Sequence, residues 1–195
     1  MQMSYLNCVL LAQMDKSFLQ NSYKTIALVF YMKFHDTLFD EYISKVQNNN
    51  IHGELVPFHE RLPSNITDFR NLLVYGPSGS GKYSQVLSLL SGYSPSKLKY
   101  EKRITVHTDK GDFSFKISDI HYEIDMALLG CNSKIIWHDV FGQIVDIIST
   151  KKHTHGIIVC KTFHEINSDL LENFYSYMQQ YNHNNLGIKV RFVLI

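Results

Sequence analysis

The glycine-rich turn Gly76-Pro77-Ser78-Gly79-Ser80-Gly81-Lys82-Tyr83 limits what this chain can fold into more than any other stretch. It follows the apolar run Leu72-Leu73-Val74-Tyr75 and opens the helix-like run Ser84-Gln85-Val86-Leu87-Ser88-Leu89-Leu90. Strand, glycine-rich turn and helix in that order make a P-loop. Gly76, Gly79 and Gly81 let successive backbone N–H groups curl into a concavity that fits a diphosphate, and the helix N-terminus adds a favourable dipole. Lys82 is placed to reach the terminal phosphates. The next position should carry a Ser or Thr hydroxyl for Mg²⁺, but it holds Tyr83, whose rigid ring carries its hydroxyl too far out. Ser84 lies one helical step on, roughly 100° around the axis, and is a poor substitute. The candidate binding residues are therefore Gly76, Pro77, Ser78, Gly79, Ser80, Gly81, Lys82, Tyr83 and Ser84. No residue is assigned to catalysis or to a metal. The competing structural reading is a Gly/Ser-rich surface turn between a strand and a helix.

A chain of 195 residues that is 45% hydrophobic and 13% aromatic has the material for one sizeable globular core. A formal net charge of +1 gives no bulk electrostatic grip on nucleic acid, although a local basic patch remains open. Cys8, Cys131 and Cys160 are an odd number without paired spacing and read as buried thiols of a reducing compartment. No apolar run approaches the roughly 18 residues that span a bilayer, and no cleavable leader pattern opens the chain. The expectation is a soluble, intracellular protein.

Two regions divide the chain: an extension over residues 1–65 and a nucleotide-binding core over residues 66–195. Residues 1–33 carry apolar patches without caps or a clear period. Phe34, Leu38, Phe39, Tyr42, Ile43 and Val46 recur at helical spacing, which predicts an amphipathic helix over 34–47. Residues 52–65, with Pro57 and Pro63, read as an extended connection.

Beyond the P-loop helix, Lys97, Lys99, Lys102 and Arg103 form a basic run beside Tyr93 and Tyr100. It suits a solvated loop or a nucleic-acid contact. Ile104 and Val106, then Phe113, Phe115 and Ile117, alternate with polar residues around Asp109-Lys110-Gly111-Asp112, which predicts a β-ribbon. His121, Glu123 and Asp125 alternate along a strand. They read as a polar sheet face, with metal ligation the competing reading. Asn132 and Ser133 can cap a helix with apolar positions from Ile136 to Ile148, and His153 and His155 follow in a lysine-flanked loop. Ile157 to Cys160 has the continuous apolar character of a central parallel strand. Ser168 is the expected cap of a last helix carrying Leu171, Phe174, Tyr175 and Met178, and Val190 to Ile195 is a final strand. The order strand, P-loop, helix, ribbon, helix, strand, helix, strand predicts an α/β P-loop NTPase fold. Its parallel sheet should have helices on both faces and nucleotide at the carboxyl ends of the strands.

From about residue 70 onward the chain resembles the AAA+ domain of clamp-loader small subunits, the replication factor C family. The likeness is carried by Asn71 to Pro77, by His121-Tyr122-Glu123, and by Glu165 to Leu171 continuing through Tyr177-Met178-Gln179-Gln180-Tyr181. Gly81-Lys82-Tyr83 and Leu129-Gly130-Cys131-Asn132-Ser133-Lys134 are similar to the clamp-loader-like proteins of large DNA viruses. The resemblance implies an AAA+ core without its last strand and helical lid, binding ATP or ADP. It also implies partners: other clamp-loader subunits, the sliding clamp, and primer-template DNA through the assembly. No membrane is implied, and a viral chain would act in the host cytoplasm or nucleus.

The family's two acidic residues after the third strand, which support Mg²⁺ and polarise the attacking water, align with Lys161 and Thr162. With Tyr83, these departures predict a subunit that holds nucleotide without hydrolysing it, leaving Mg²⁺ doubtful. The sensor residues, arginine finger and lid would fall beyond Ile195, and the adenine-side Tyr-Arg-Pro motif is missing. Two other readings compete. One is a small guanylate-kinase-like phosphotransferase, faintly echoed by Arg103 and Asp112-Phe113-Ser114-Phe115. The other is an interaction scaffold with a vestigial loop.

Overall fold

The sheet is built from its centre, where the sequence is most apolar. In the computed structural model, which describes residues 37–152, 154–181 and 187–195, strand β5 (His155–Lys161) is buried from Gly156 to Cys160. It lies parallel between β4 (His121–Asp125) and β6 (Lys189–Leu194), and β6 in turn pairs in parallel with the short β1 (Leu72–Leu73). The predicted ribbon, β2 (Lys102–Thr108) and β3 (Gly111–Ile117), is joined by two residues and continues the same sheet antiparallel to β4. The order is β1-β6-β5-β4-β3-β2. The four-stranded half is parallel as expected, and the ribbon makes the whole sheet mixed.

Helices cover both faces. Tyr122, Ile124, Ile158, Cys160 and Phe192 meet α4 (Ser133–Thr150) and α5 (Ser168–Gln180) in one buried cluster. Ile157, Val159 and Val193 point the other way and meet α1 (Phe39–Asn48) and α3 (Lys82–Ser91). Alternation along a strand produces this split, and each fully buried Ile, Leu or Phe contributes about 1.5–3 kcal/mol. Gly156 is required by packing: a Cβ there would lie 2.4 Å from Ile148 Cδ1.

Helix α1 overlaps the region expected to be helical and runs one residue past its end, to Asn48; residues 34–36 of that expectation, with Cys8 and His153, lie outside the described residues. Glu101 accepts a hydrogen bond from the Phe39 backbone N–H at 2.8 Å and pairs with Lys116 at 2.7 Å, fixing the start of α1 to the ribbon. The connection after α1 is not extended. It forms a 3₁₀ turn, Gly53–Leu55, and a short helix, α2 (Val56–Glu60), because Pro57 sits in the first turn, where a missing N–H costs nothing.

Four further expectations are corrected. Asn167, not Ser168, caps α5: held in extended conformation, its side chain accepts from Asp169 N at 2.9 Å. His155 opens β5 rather than sitting in a loop. Cys160 is buried as expected, but Cys131 is exposed. Asn132 makes no side-chain cap hydrogen bond to α4. His121 and Glu123 share the expected polar face of β4, which α1 and α3 bury. Among the described residues no helix is long and apolar enough to cross a membrane.

Candidate nucleotide site

The carboxyl ends of β1, β5 and β6 converge on the loop between β1 and α3. Arg191 Nε donates to the Phe69 carbonyl at 2.8 Å, and Phe192 N donates to Asn71 Oδ1 at 2.9 Å, fixing the chain as it enters β1. Val74 N then donates to the Leu194 carbonyl at 2.8 Å, so the ladder runs to the edge of the loop. Gly79 (φ 77°) and Gly81 (φ 79°) take left-handed conformations, the backbone a phosphate-cradling loop needs and a side chain resists. Gly81 is the residue from which α3 starts. The loop curls, with Ser80 N toward the Pro77 carbonyl at 3.4 Å.

Lys82 folds back over this loop. Its ammonium donates to the carbonyls of Gly76 and Pro77, both at 2.8 Å. A cleft of about 430 Å³ opens there, with Gly76, Ser78, Gly79 and Lys82 on one wall and Thr162, Phe163 and His164 on the other. Its size falls within the roughly 300–1,000 Å³ of small-molecule sites. None of its lining residues is acidic. Pro77 and Ser80 shape the loop without lining the cleft, and Ser84, one step into α3, is likewise outside the lining.

Tyr83 turns away from the loop. Its hydroxyl donates to Glu123 Oε2 at 2.9 Å, and its ring packs edge-on against Tyr42, with centroids 4.9 Å apart. Burial, reinforced by the Glu123 carboxylate, pushes the phenol well above its ordinary range, so it remains a proton donor. Glu123 Oε1 lies 3.4 Å from His121 Nε2, and His121 Nδ1 lies 2.5 Å from Ser118 Oγ. The trio expected along β4 is thus divided. His121 and Glu123 continue a buried chain of polar groups from Tyr83, while Asp125 accepts from Thr162 Oγ1 and from Ala127 N.

Lys161, at the end of β5, places its ammonium 4.5 Å from the centre of the Tyr83 ring. The residues around the loop therefore do not fit Mg²⁺. The residue after Lys82 offers no short hydroxyl, only a phenol committed to Glu123, and the Lys161 ammonium stands at the position where the resemblance expects a carboxylate. Among the described residues no group of three His, Cys, Asp or Glu side chains is arranged to hold a metal ion.

Sequence reasoning missed a brace on the loop. His52 Nε2 lies 2.6 Å from the Ser80 carbonyl, and Nδ1 lies 3.0 Å from Glu54 Oε1. Asn50 Oδ1 accepts from His52 N at 3.0 Å and from Gln85 Nε2 at 2.8 Å, tying this segment to α3. No sequence signal marks a contact across 28 residues. Both ring nitrogens face acceptors, so the imidazolium satisfies both and either neutral tautomer loses one. The Ser80 carbonyl first, then Glu54, raises the His52 pKa above 6.5. A raised value in the folded state means the brace is complete below the ordinary pKa and is lost as pH rises through the raised one. An NMR titration of the ring should show a midpoint above 6.5, lowered by Glu54→Gln; a midpoint at or below 6.5 would dismiss the brace.

The fold and the loop together fit an α/β core of the P-loop AAA+ type. The chain is 29% identical over 140 residues to replication factor C subunit 5 of Saccharomyces cerevisiae, covering 66% of this chain and 40% of that protein. It is 27% identical over 140 residues to the subunit of the same name in Schizosaccharomyces pombe, covering 68% of this chain and 38% of that one. With the Neurospora crassa subunit the identity is 28% over 106 residues. These similarities support a clamp-loader relationship. The chain spans about two fifths of the length of the two yeast relatives. No protein-family model matches it.

The residues that faintly echo a guanylate kinase lie in the β2–β3 ribbon. Arg103 and Asp112 to Phe115 are paired positions of the β2–β3 ribbon, and Phe113 and Phe115 are buried in its core. The basic run is likewise divided, with Lys102 and Arg103 in β2 and Lys97 and Lys99 in the turn before it.

Proposed function

We propose that this chain is a clamp-loader-like subunit that holds ATP or ADP on the loop Gly76 to Lys82 and does not hydrolyse it. The observation that carries this reading is the pairing of an intact phosphate loop with a far wall from which both acidic residues are gone. Without a carboxylate at Lys161 or Thr162 there is neither a metal anchor nor a base to orient water. A subunit of this kind acts as a nucleotide-dependent scaffold in a ring. Its partners would be other clamp-loader subunits and the sliding clamp, engaged on primer-template DNA inside the cell. The likeness of Gly81-Lys82-Tyr83 and of Leu129 to Lys134 to viral clamp-loader-like proteins extends the reading to a virus-type assembly.

Purified chain given ATP and Mg²⁺ should release phosphate no faster than its Lys82→Ala variant. Steady turnover that depends on Lys82 would return the chain to the active ATPases. Loss of nucleotide binding with partner binding retained would favour a scaffold with a vestigial loop.

A further inference from the structure

A polyphosphate brings several negative charges into the cleft, and the Lys82 ammonium with the α3 N-terminus offsets only part of them. P-loop proteins usually supply the rest with a divalent cation held between a hydroxyl on the first helical turn and a carboxylate at the end of a neighbouring strand. Here the two positions carry Tyr83 and Lys161, and the two side chains touch: the ammonium lies 4.5 Å from the ring centre.

Three features make this contact a seat for a cation rather than an incidental surface pair. Val159 and Lys161 share the β5 face that looks toward α1 and α3, so the strand delivers Lys161 to the end of α3 that carries Lys82. Tyr83 cannot swing away freely, because Glu123 holds its hydroxyl and Tyr42 its ring edge. The Lys161 ammonium has no hydrogen-bond acceptor or carboxylate partner among the described residues, and it stands just outside the cleft lining, one residue before Thr162, which is part of that lining. A flexible four-carbon stem can carry the ammonium from the ring face to a phosphate oxygen.

We propose that Lys161 is a built-in replacement for the metal ion, so that the ligand of this cleft is a nucleoside polyphosphate free of divalent cation. The proposal rests on the nucleotide-holding reading above and goes further: it makes Mg²⁺ a competitor. A chelated Mg²⁺ neutralises the phosphate charges the two lysines would meet and brings a dication beside the Lys161 ammonium.

The test is calorimetry with ATP, and with inorganic pyrophosphate, in EDTA and then in excess Mg²⁺. Wild type should bind ATP about tenfold more tightly in EDTA, the scale of one charge-assisted hydrogen bond. Lys161→Met keeps a stem over the Tyr83 ring and removes the charge. It should weaken binding in EDTA by about the same factor and abolish the preference, while Lys161→Arg preserves both. Circular dichroism melts of each variant check the fold. Tighter binding with Mg²⁺, or a Lys161→Met variant indistinguishable from wild type in EDTA, overturns the proposal and leaves the nucleotide-holding reading standing. Absence of binding by wild type under either condition overturns both.

Discussion

Replacing Lys82 with alanine is expected to weaken ATP and ADP binding at least a hundredfold and to leave the melting temperature of the protein unchanged. Among the described residues the Lys82 ammonium hydrogen-bonds only the carbonyls of Gly76 and Pro77, in a loop whose residues from Gly76 to Gly79 are exposed, so water can take its place there. In the proposed nucleotide complex the same donors would face phosphate oxygens. Charge-assisted hydrogen bonds contribute about 1.5–3 kcal/mol each, and two of them give roughly a hundredfold or more in affinity. Calorimetry on wild type and variant, with thermal melts of both, decides the matter. An unchanged dissociation constant would remove the phosphate cradle, whereas a lowered melting temperature would show that Lys82 also holds the loop together.

Trp137→Ala should have the largest effect on stability, a loss of about 3–5 kcal/mol. Trp137 is completely buried. Its ring centroid lies 5.9 Å from Phe141, 5.1 Å from Phe174 and 6.1 Å from Tyr177, so it joins α4 to α5 over the sheet. Its indole N–H has no acceptor among the described residues, which offsets part of the benefit and makes Trp137→Phe milder than its volume change suggests. Urea denaturation of both variants measures this directly. A loss below about 1 kcal/mol for the alanine variant would mean that α4 and α5 pack independently of this residue. The expected loss is a large share of the 5–15 kcal/mol that holds a typical domain folded.

The parts of the fold that were legible in the sequence are those in which one local pattern determines the outcome. Gly79, Gly81 and Lys82 at fixed spacing between a strand and a helix can do little else. Ile136 to Ile148 keep a single helical period, and Ile157 to Cys160 admit only a buried strand. What escaped was decided between distant elements. Pro57 reads as a break but is welcome in a first helical turn. His121 and Glu123 read as a polar face, but nothing local says that α1 and α3 cover it. At the site, Lys161 could be placed opposite the loop by alignment, yet its contact with Tyr83 depends on the reach of two side chains. His52 carries no local sign of its bond to Ser80, because the loop it braces lies in another element.

The buried hydrogen bond from Tyr83 to Glu123 also bears on how readily a metal site could be introduced at these two positions. Tyr83→Ser alone would strip a nearly buried carboxylate of its best donor, and losing a charged partner in such a place costs several kcal/mol. Lys161→Asp alone would add a carboxylate beside a phenol ring and near Glu123 without a cation to neutralise it. Each single substitution meets a stability barrier, and the two together meet both unless a metal ion binds to neutralise the carboxylates. A metal site could therefore be built at these positions only at a cost in stability, set by two side chains that now support each other.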